Sequence, residues 1–142
     1  MEPVNAEPDL IEWKDSYSVG VGLIDEQHKK LFSHINELYL AMKEVKDKEI
    51  LGRVIADLAD YVNTHFTTEE KFFEKFNYER KDEHIVQHKQ YTDKIKLFQE
   101  KYAENQLLLS FEIIDFLEDW ILSHVIGHDK QYTKCFNEHG LN

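Results

Sequence analysis

Histidines at helical spacing are the feature that most restricts what this chain can fold into. Five of its eight histidines and four acidic residues fall in four short motifs. The motifs are Asp25-Glu26-Gln27-His28, His65-x-x-x-Glu69, His84-x-x-x-His88 and His124-x-x-x-x-Asp129. A spacing of four residues places two side chains on one face of an α-helix. The sequence therefore predicts an all-α protein, an up-down-up-down four-helix bundle, with a metal site in its interior.

Length and composition fit one folded domain. A chain of 142 residues can bury a core without disulfide support. Its 42% hydrophobic and 13% aromatic content is too high for a disordered chain. The net charge of −11 arises from 28 acidic and 17 scattered basic residues. Nucleic acids and anionic membrane surfaces are therefore not expected as partners.

Several features bear on the compartment. No apolar run reaches the roughly 20 residues that a membrane span needs. Residues 1–10 have neither the basic nor the apolar region of a signal peptide. The single cysteine, Cys135, cannot form an internal disulfide, which fits a reducing environment. We therefore expect a cytoplasmic protein and a monomer.

The N-terminal part differs from the rest of the chain. We expect residues 1–23 to form an arm that packs on a single bundle domain, residues 24–142. Residues 19–23 read Val-Gly-Val-Gly-Leu, and these glycines and the period of two oppose a helix. The interpretation is an extended arm over residues 11–23, and a lone short strand is the alternative.

Apolar residues at three- and four-residue steps predict four helices in the rest of the chain. The first helix is expected to start near Asp25, which can cap it, and the second can be capped by Asp47. Residues 77–82 are polar and are predicted to be a loop before the third helix. The fourth helix is expected to begin between residues 105 and 110, where Asn105 or Ser110 could cap it.

Helix lengths predict which motifs meet. His28 and His65 each lie about 17 residues from the turn that joins the first two helices. At ~1.5 Å per residue, both should lie at the same level of an antiparallel pair. The distances of His88 and His124 from the turn between the third and fourth helices agree within about one helical turn. On the second and third helices, the His65/Glu69 pair and the His84/His88 pair differ by about one helical turn in their distance from the connecting loop. The geometry of that loop must compensate for the difference.

Each motif alone also fits a hydrogen-bonded core histidine or an ordinary surface pair. Taken together, however, the motifs favour a metal site over these alternatives. Seven polar groups on inward-facing stripes would cost several kcal/mol each to bury without compensation. Bound metal supplies that compensation, and seven ligands exceed the four of a tetrahedral zinc site. Two metal ions that share bridging carboxylates are therefore predicted.

These motifs, together with Trp120-x-x-x-His124 and Tyr132, resemble the signature of the hemerythrin family over nearly the whole chain, from Trp13 to about Tyr132. The likeness is to its single-domain prokaryotic branch, the bacteriohemerythrins. The resemblance implies a non-haem di-iron centre with an oxo or hydroxo bridge. It assigns His84, His88 and His124 to one iron and His28 and His65 to the other. It assigns Glu69 and Asp129 as carboxylates that bridge the two irons.

The resemblance also implies reversible dioxygen binding, for storage, delivery or buffering, by a binding protein rather than an enzyme. A centre rich in imidazole is less electron-rich than carboxylate-dominated di-iron sites, which favours reversible binding. The alternatives are an oxygen or redox sensor, a di-iron oxidase or peroxidase, and a nitric-oxide-handling protein. Catalysis would need a proton source, for which Tyr132 or Tyr61 is a candidate. Six apolar residues near the predicted ligands could line a dry pocket or simply form core: Phe32, Phe66, Phe73, Trp120, Ile121 and Val125.

Asp129 does not follow simple helix spacing. In a regular α-helix, position 128 returns to the face of His124, whereas position 129 lies about 140° away. His128 is therefore a geometric rival of Asp129. We predict that a widened, π-like turn near Gly127 brings Asp129 inward. His34 and His139 lie outside the pattern and are expected to be ordinary residues, and Cys135 is expected to be structural.

Overall fold

The computed structural model of the chain describes residues 10–44, 48–103 and 111–142. The expected caps at Asp47 and between Asn105 and Ser110 lie outside these ranges. No helix among the described residues is both long enough and apolar enough to cross a membrane. The described elements are a 3-10 turn at Asp15–Tyr17, α1 at Gly22–Lys43, α2 at Lys48–Lys75, α3 at Lys81–Ala103, α4 at Phe111–Ser123, a π-turn at His124–His128, a 3-10 turn at Asp129–Tyr132 and α5 at Thr133–Glu138.

The four long helices form the predicted up-down bundle. His28 lies early in α1 and His65 late in α2, and their ring centroids are 4.7 Å apart. His88 lies early in α3 and its ring is 4.9 Å from that of His124, which follows α4. Consecutive helices therefore run antiparallel. The predicted levels of both histidine pairs are confirmed.

Two apolar clusters fill the interior. The larger follows the inward stripes of α1 to α4, and its fully buried members include Leu31, Leu58, Ile95 and Ile121. The smaller lies where the N-terminal arm meets the C-terminal segment. Its buried members are Val19, Val21, Ile24, Phe73, Tyr78, Tyr132 and Phe136.

The start of α1 differs from the prediction. The helix begins at Gly22, after Val21 as its N-cap residue, so Asp25 is not the cap. The Asp25 carboxylate instead accepts hydrogen bonds from the Ser18 hydroxyl and from the Val19 N–H, the latter at 2.8 Å. It therefore fixes the chain ahead of the helix while it lies in the first turn, where a negative charge is favourable.

The arm is held on the bundle but is not extended throughout. Its 3-10 turn at Asp15–Tyr17 and the early start of α1 correct the prediction for residues 11–23. No strand occurs in the parts of the arm that the structure describes. The Asn36 side chain bonds the N–H and the C=O of Ile11, at 3.0 and 2.9 Å. The rings of Trp13 and Tyr17 also pack on Phe32.

The turn between α2 and α3 is tight. Asn77 adopts the left-handed conformation with φ of 51°. The Tyr78 N–H bonds the Phe73 C=O at 2.9 Å, and the two rings are 5.1 Å apart. This pattern is a Schellman motif with its hydrophobic contact. Because α2 ends at Lys75 and α3 starts at Lys81, the loop spans residues 76–80, and the predicted loop 77–82 extends two residues too far at its C-terminal end.

The predicted π-like turn is confirmed. After α4 ends at Ser123, residues His124–His128 form a π-turn, and the Asp129 N–H bonds the His124 C=O. This hydrogen bond spans five residues instead of the four of an α-helix. A 3-10 turn and the short helix α5 follow, and α5 was not predicted.

Candidate metal centre

The seven predicted residues converge in the interior of the bundle. Each is at most 3% exposed. Their nitrogen and oxygen atoms form two groups that share both carboxylates, and within each group the atoms lie within 4.8 Å of one another. The groups are Glu69, His84, His88, His124 and Asp129, and His28, His65, Glu69 and Asp129.

Asp129 joins the two groups through its two oxygens. Its Oδ1 lies 2.8 Å from Nε2 of His84 and 2.9 Å from Nε2 of His124. Its Oδ2 lies 2.9 Å from Nε2 of His28. One carboxylate therefore faces three histidines from three segments of the chain.

Glu69 provides the second link. Its Oε1 lies 3.1 Å from Nε2 of His65 and 3.2 Å from Nε2 of His88. Because these two histidines belong to different groups, Glu69 also stands between them. The contact with His88 shows that the tight turn after α2 absorbs the expected one-turn mismatch.

Two of the histidines have polar partners on their outer sides. The Nδ1 of His65 is 2.7 Å from Oε1 of Gln27, and the Nδ1 of His88 is 3.0 Å from Oε2 of Glu70. An N–H at Nδ1 leaves the Nε2 lone pair directed inward. Gln27 was recognised only as part of the His28 motif and Glu70 not at all, so neither was predicted as a histidine partner. Each is adjacent to a predicted ligand in the chain, but its contact is made across two helices.

The buried carboxylates are held in their charged form. Burial and the neighbouring Asp129 would raise the pKa of Glu69, but its contacts with His65 and His88 lower it overall. Burial would likewise raise the pKa of Asp129, and His124 is the main group that lowers it well below its usual value. Two buried negative charges therefore face the histidines.

The histidines divide by their surroundings. Burial lowers the pKa of His65 and of His124, despite the nearby carboxylates. Burial opposes the charged form of His88 as well, but its contact with Glu69 and its hydrogen bond with Glu70 raise its pKa to about 9. Protons alone therefore do not compensate the whole cluster, since some of its imidazoles favour the neutral form.

The donor set fits metal. If His65 carries its proton at Nδ1, its Nε2 lone pair faces a Glu69 oxygen at 3.1 Å, and two acceptors at that distance need a cation between them. Several buried atoms of the cluster have no hydrogen-bond partner among the described residues. They are Nδ1 and Nε2 of His28, Nε2 of His65, Nδ1 of His124 and both oxygens of Glu69 and of Asp129. Imidazole and carboxylate donors together suit first-row transition metals.

His128 lies outside the cluster. Its Nδ1 is 3.2 Å from Nε2 of Gln87, and its ring is 5.9 Å from that of His124. Asp129 is fully buried at the centre instead. The geometry therefore brings Asp129, and not its rival, to the other predicted ligands.

The remaining unassigned residues are also away from the centre. His34 is half-buried with its ring 5.2 Å from Tyr61. His139 is exposed, and its Nδ1 is 4.0 Å from the sulfur of the half-buried Cys135. Tyr132 is different, because it is fully buried and its ring is 5.8 Å from that of His84. Its hydroxyl has no hydrogen-bond partner among the described residues.

Aromatic rings enclose the histidines. Phe66 stacks on His88 with a centroid distance of 3.8 Å, and Trp120 stacks on His124 at 4.4 Å. Phe73 is 4.8 Å from His84. Of the six predicted lining residues, five are buried and Trp120 is half-buried. Phe73 packs in the smaller cluster, and the other five pack in or against the larger one.

Comparison with known proteins agrees with this architecture. Residues 19–134 match the family described as hemerythrin HHE cation binding domain. A bacteriohemerythrin of Clostridium acetobutylicum is 29% identical over 129 residues, which are 87% of this chain and 98% of that protein. A hemerythrin-like protein of Naegleria gruberi is 30% identical over 126 residues, 88% of this chain and 92% of that protein. The crystal structure of a wild-type hemerythrin superposes with a TM-score of 0.84 at 27% identity, and covers 89% of this chain and 97% of that one. With its buried histidine and carboxylate cluster, this chain belongs to the hemerythrin HHE cation binding domain family.

Proposed function

We propose that this protein binds dioxygen reversibly at a non-haem di-iron centre. One iron would be held by His84, His88 and His124, and the other by His28 and His65. Glu69 and Asp129 would bridge the two. Bound iron supplies the reversible dioxygen chemistry, and the chain supplies the ligands and a dry enclosure.

The arrangement of Asp129 is the observation that carries this proposal. Its two oxygens face different histidine groups, as a carboxylate shared by two metal ions must. Three histidines lie in one group and two in the other. The group with fewer histidines therefore has the smaller ligand set, which suits it to accept an external ligand.

The surroundings support reversible binding. Phe66 and Trp120 cover imidazole faces, and Ile121 and Val125 are fully buried beside the cluster. Such an apolar enclosure keeps water and its protons away from the site. Storage, delivery and buffering of dioxygen all use this one property. The names of the relatives, bacteriohemerythrin and hemerythrin-like protein, support the same function.

We also propose a cytoplasmic monomer, built of an arm over residues 1–23 and one domain over residues 24–142. Two features support this organisation. The arm bonds the first and the last described helix, through Ile11 to Asn36 in α1 and through Gly20 to Asn137 in α5. The single cysteine suits a reducing compartment.

The first test is to load the metal-free protein with ferrous iron in the absence of air and to count metal per chain. Dioxygen is then added and removed while the visible spectrum is recorded. We expect two irons and a colour that appears and disappears reversibly. Two irons that oxidise once and remain ferric would contradict reversible binding.

A variant pair tests the residue assignment. His65→Ala removes one of only two histidines from its group, so it should abolish dioxygen binding while much of the iron at the other position remains. His128→Ala changes a nearby histidine outside the cluster and should bind iron and dioxygen normally. Unchanged dioxygen uptake by His65→Ala would refute the assignment.

A further inference from the structure

Two corresponding imidazoles of the centre contact outer partners of different charge. His65 has its Nδ1 at 2.7 Å from the amide oxygen of Gln27, whereas His88 has its Nδ1 at 3.0 Å from a carboxylate oxygen of Glu70. Both His65 and His88 also contact Glu69 through Nε2. The two imidazoles therefore share an inner partner and differ in the outer one.

A chain of hydrogen bonds that starts at a backbone carbonyl fixes the orientation of the Gln27 amide. The Thr68 hydroxyl donates to the Thr64 C=O at 3.0 Å, so its proton is committed. Thr68 then accepts from Nε2 of Gln27 at 3.3 Å. Oε1 of Gln27 is left as the acceptor that faces His65, which places the proton of His65 on Nδ1. His65 thus receives a neutral partner in a defined orientation.

The partner of His88 has a different electronic effect. A carboxylate that accepts the imidazole N–H makes the ring more basic and a stronger donor at its other nitrogen. Glu70 is only 35% exposed, and Phe66 covers one face of His88 at 3.8 Å, so solvent screens this contact incompletely. A strong donor stabilises the higher oxidation state of the metal that it binds.

We propose that Gln27 and Glu70 are positioning residues that make the two iron positions electronically unequal. Glu70 stabilises the ferric state at the position of His84, His88 and His124. The neutral Gln27 leaves the position of His28 and His65 easier to keep ferrous. This inference rests on the proposed di-iron function. It adds an outer-partner asymmetry to the unequal number of histidines.

Two isosteric variants remove the asymmetry, each from one side. Glu70→Gln removes the charge beside His88, and Gln27→Glu adds a charge beside His65. Each has a matched control with the same change of charge. Glu74→Gln alters an exposed residue one turn along α2, and Asn63→Asp alters an exposed residue two positions before His65. Exposed charges are screened by salt, so both controls should have small effects.

The measurement is an anaerobic reductive titration of the iron-loaded proteins, with dithionite as the electron donor and one electron consumed per iron. The visible spectrum follows the two reduction steps, and metal is counted before each titration. Glu70→Gln should raise the lower potential, and Gln27→Glu should lower the higher one. In each variant, we expect about a tenfold change in the ferric-to-ferrous ratio at the affected step, which is ~59 mV for one electron. Both variants should therefore narrow the gap between the steps.

The outcomes separate the two proposals. Failure of the unsubstituted protein to bind two irons would overturn the proposed function and this inference with it. Two irons with a single, unresolved reduction step would overturn the inference alone. The inference alone would also be overturned if the difference between the two reduction potentials in the Glu70→Gln or Gln27→Glu protein equals that of its control. If Glu70→Gln loses iron, Gln27→Glu decides, because a lowered higher potential supports the inference and an unchanged one overturns it.

Discussion

Replacing Gly20 by alanine should destabilise the protein by about 2 kcal/mol. Gly20 has φ of +73°, and a left-handed conformation costs an L-residue roughly 1–2 kcal/mol. A Cβ there would lie 2.9 Å from Cγ2 of Thr133, well inside van der Waals contact. Thr133 cannot rotate away freely, because its hydroxyl bonds the Val19 C=O, and that bond contributes ~1 kcal/mol. The lower entropy of the unfolded alanine chain offsets ~0.4–1 kcal/mol.

Two other glycines separate these contributions. Gly140 also has a positive φ, +87°, but an added Cβ would meet no atom of the described residues within 4 Å, so Gly140→Ala should cost about 1 kcal/mol. A Cβ added to Gly22 in α1 would likewise meet no described atom within 4 Å, so Gly22→Ala should be neutral or stabilising by up to ~1 kcal/mol. Urea unfolding of all three variants in the same metal state gives the comparison. Equal losses for Gly20→Ala and Gly140→Ala would refute the contact with Thr133, and no loss for Gly20→Ala would refute the backbone argument.

Three further predictions concern the centre. Asp129→Asn removes the anionic link between the histidine groups and should reduce bound metal below two ions per chain, measured by elemental analysis; full occupancy would count against a bridging role. Tyr132→Phe removes a buried hydroxyl that lies near Glu69 but makes no hydrogen bond of normal geometry among the described residues, so it should raise the unfolding free energy of the metal-free protein by ~1 kcal/mol; a loss of that size would show that the hydroxyl bonds Glu69. Lowering the pH below about 6 should release metal, because imidazole binds only when deprotonated; metal retained at pH 4 on a dialysis assay would contradict the histidine ligand set.

Periodicity was sufficient to predict the bundle, because each helix carries a continuous apolar stripe that must face a common core. It was not sufficient for the connections. The early start of α1 depends on burial of Val19 and Val21 and on Asp25 bonding backward, which is a tertiary arrangement. Asn77 offered a signal that was not used, since asparagine tolerates the left-handed conformation at the end of a helix.

The convergence of the seven side chains could be predicted because helix geometry converts sequence spacing into level and face. Their outer partners could not be. Gln27 bonds a residue 38 positions away, and Glu70 bonds one 18 positions away, so both contacts depend on how neighbouring helices pack. The smaller apolar cluster was not predicted for the same reason. Phe73 and Phe136 belong to helices far apart in sequence and meet only where the arm closes over the C-terminal segment.

The π-turn after α4 connects the fold to the proposed chemistry. A regular α-helix would bring His128 to the face of His124 and leave Asp129 outside the core. The extra residue in the turn weakens regular helical bonding, yet it places a carboxylate whose two oxygens contact His28, His84 and His124. A histidine at that point would offer one lone pair and no negative charge. It could neither join two metal positions nor balance their charge. In the proposed di-iron centre, the irregular turn supplies the bridging carboxylate, and it accounts for the five-residue spacing between His124 and Asp129.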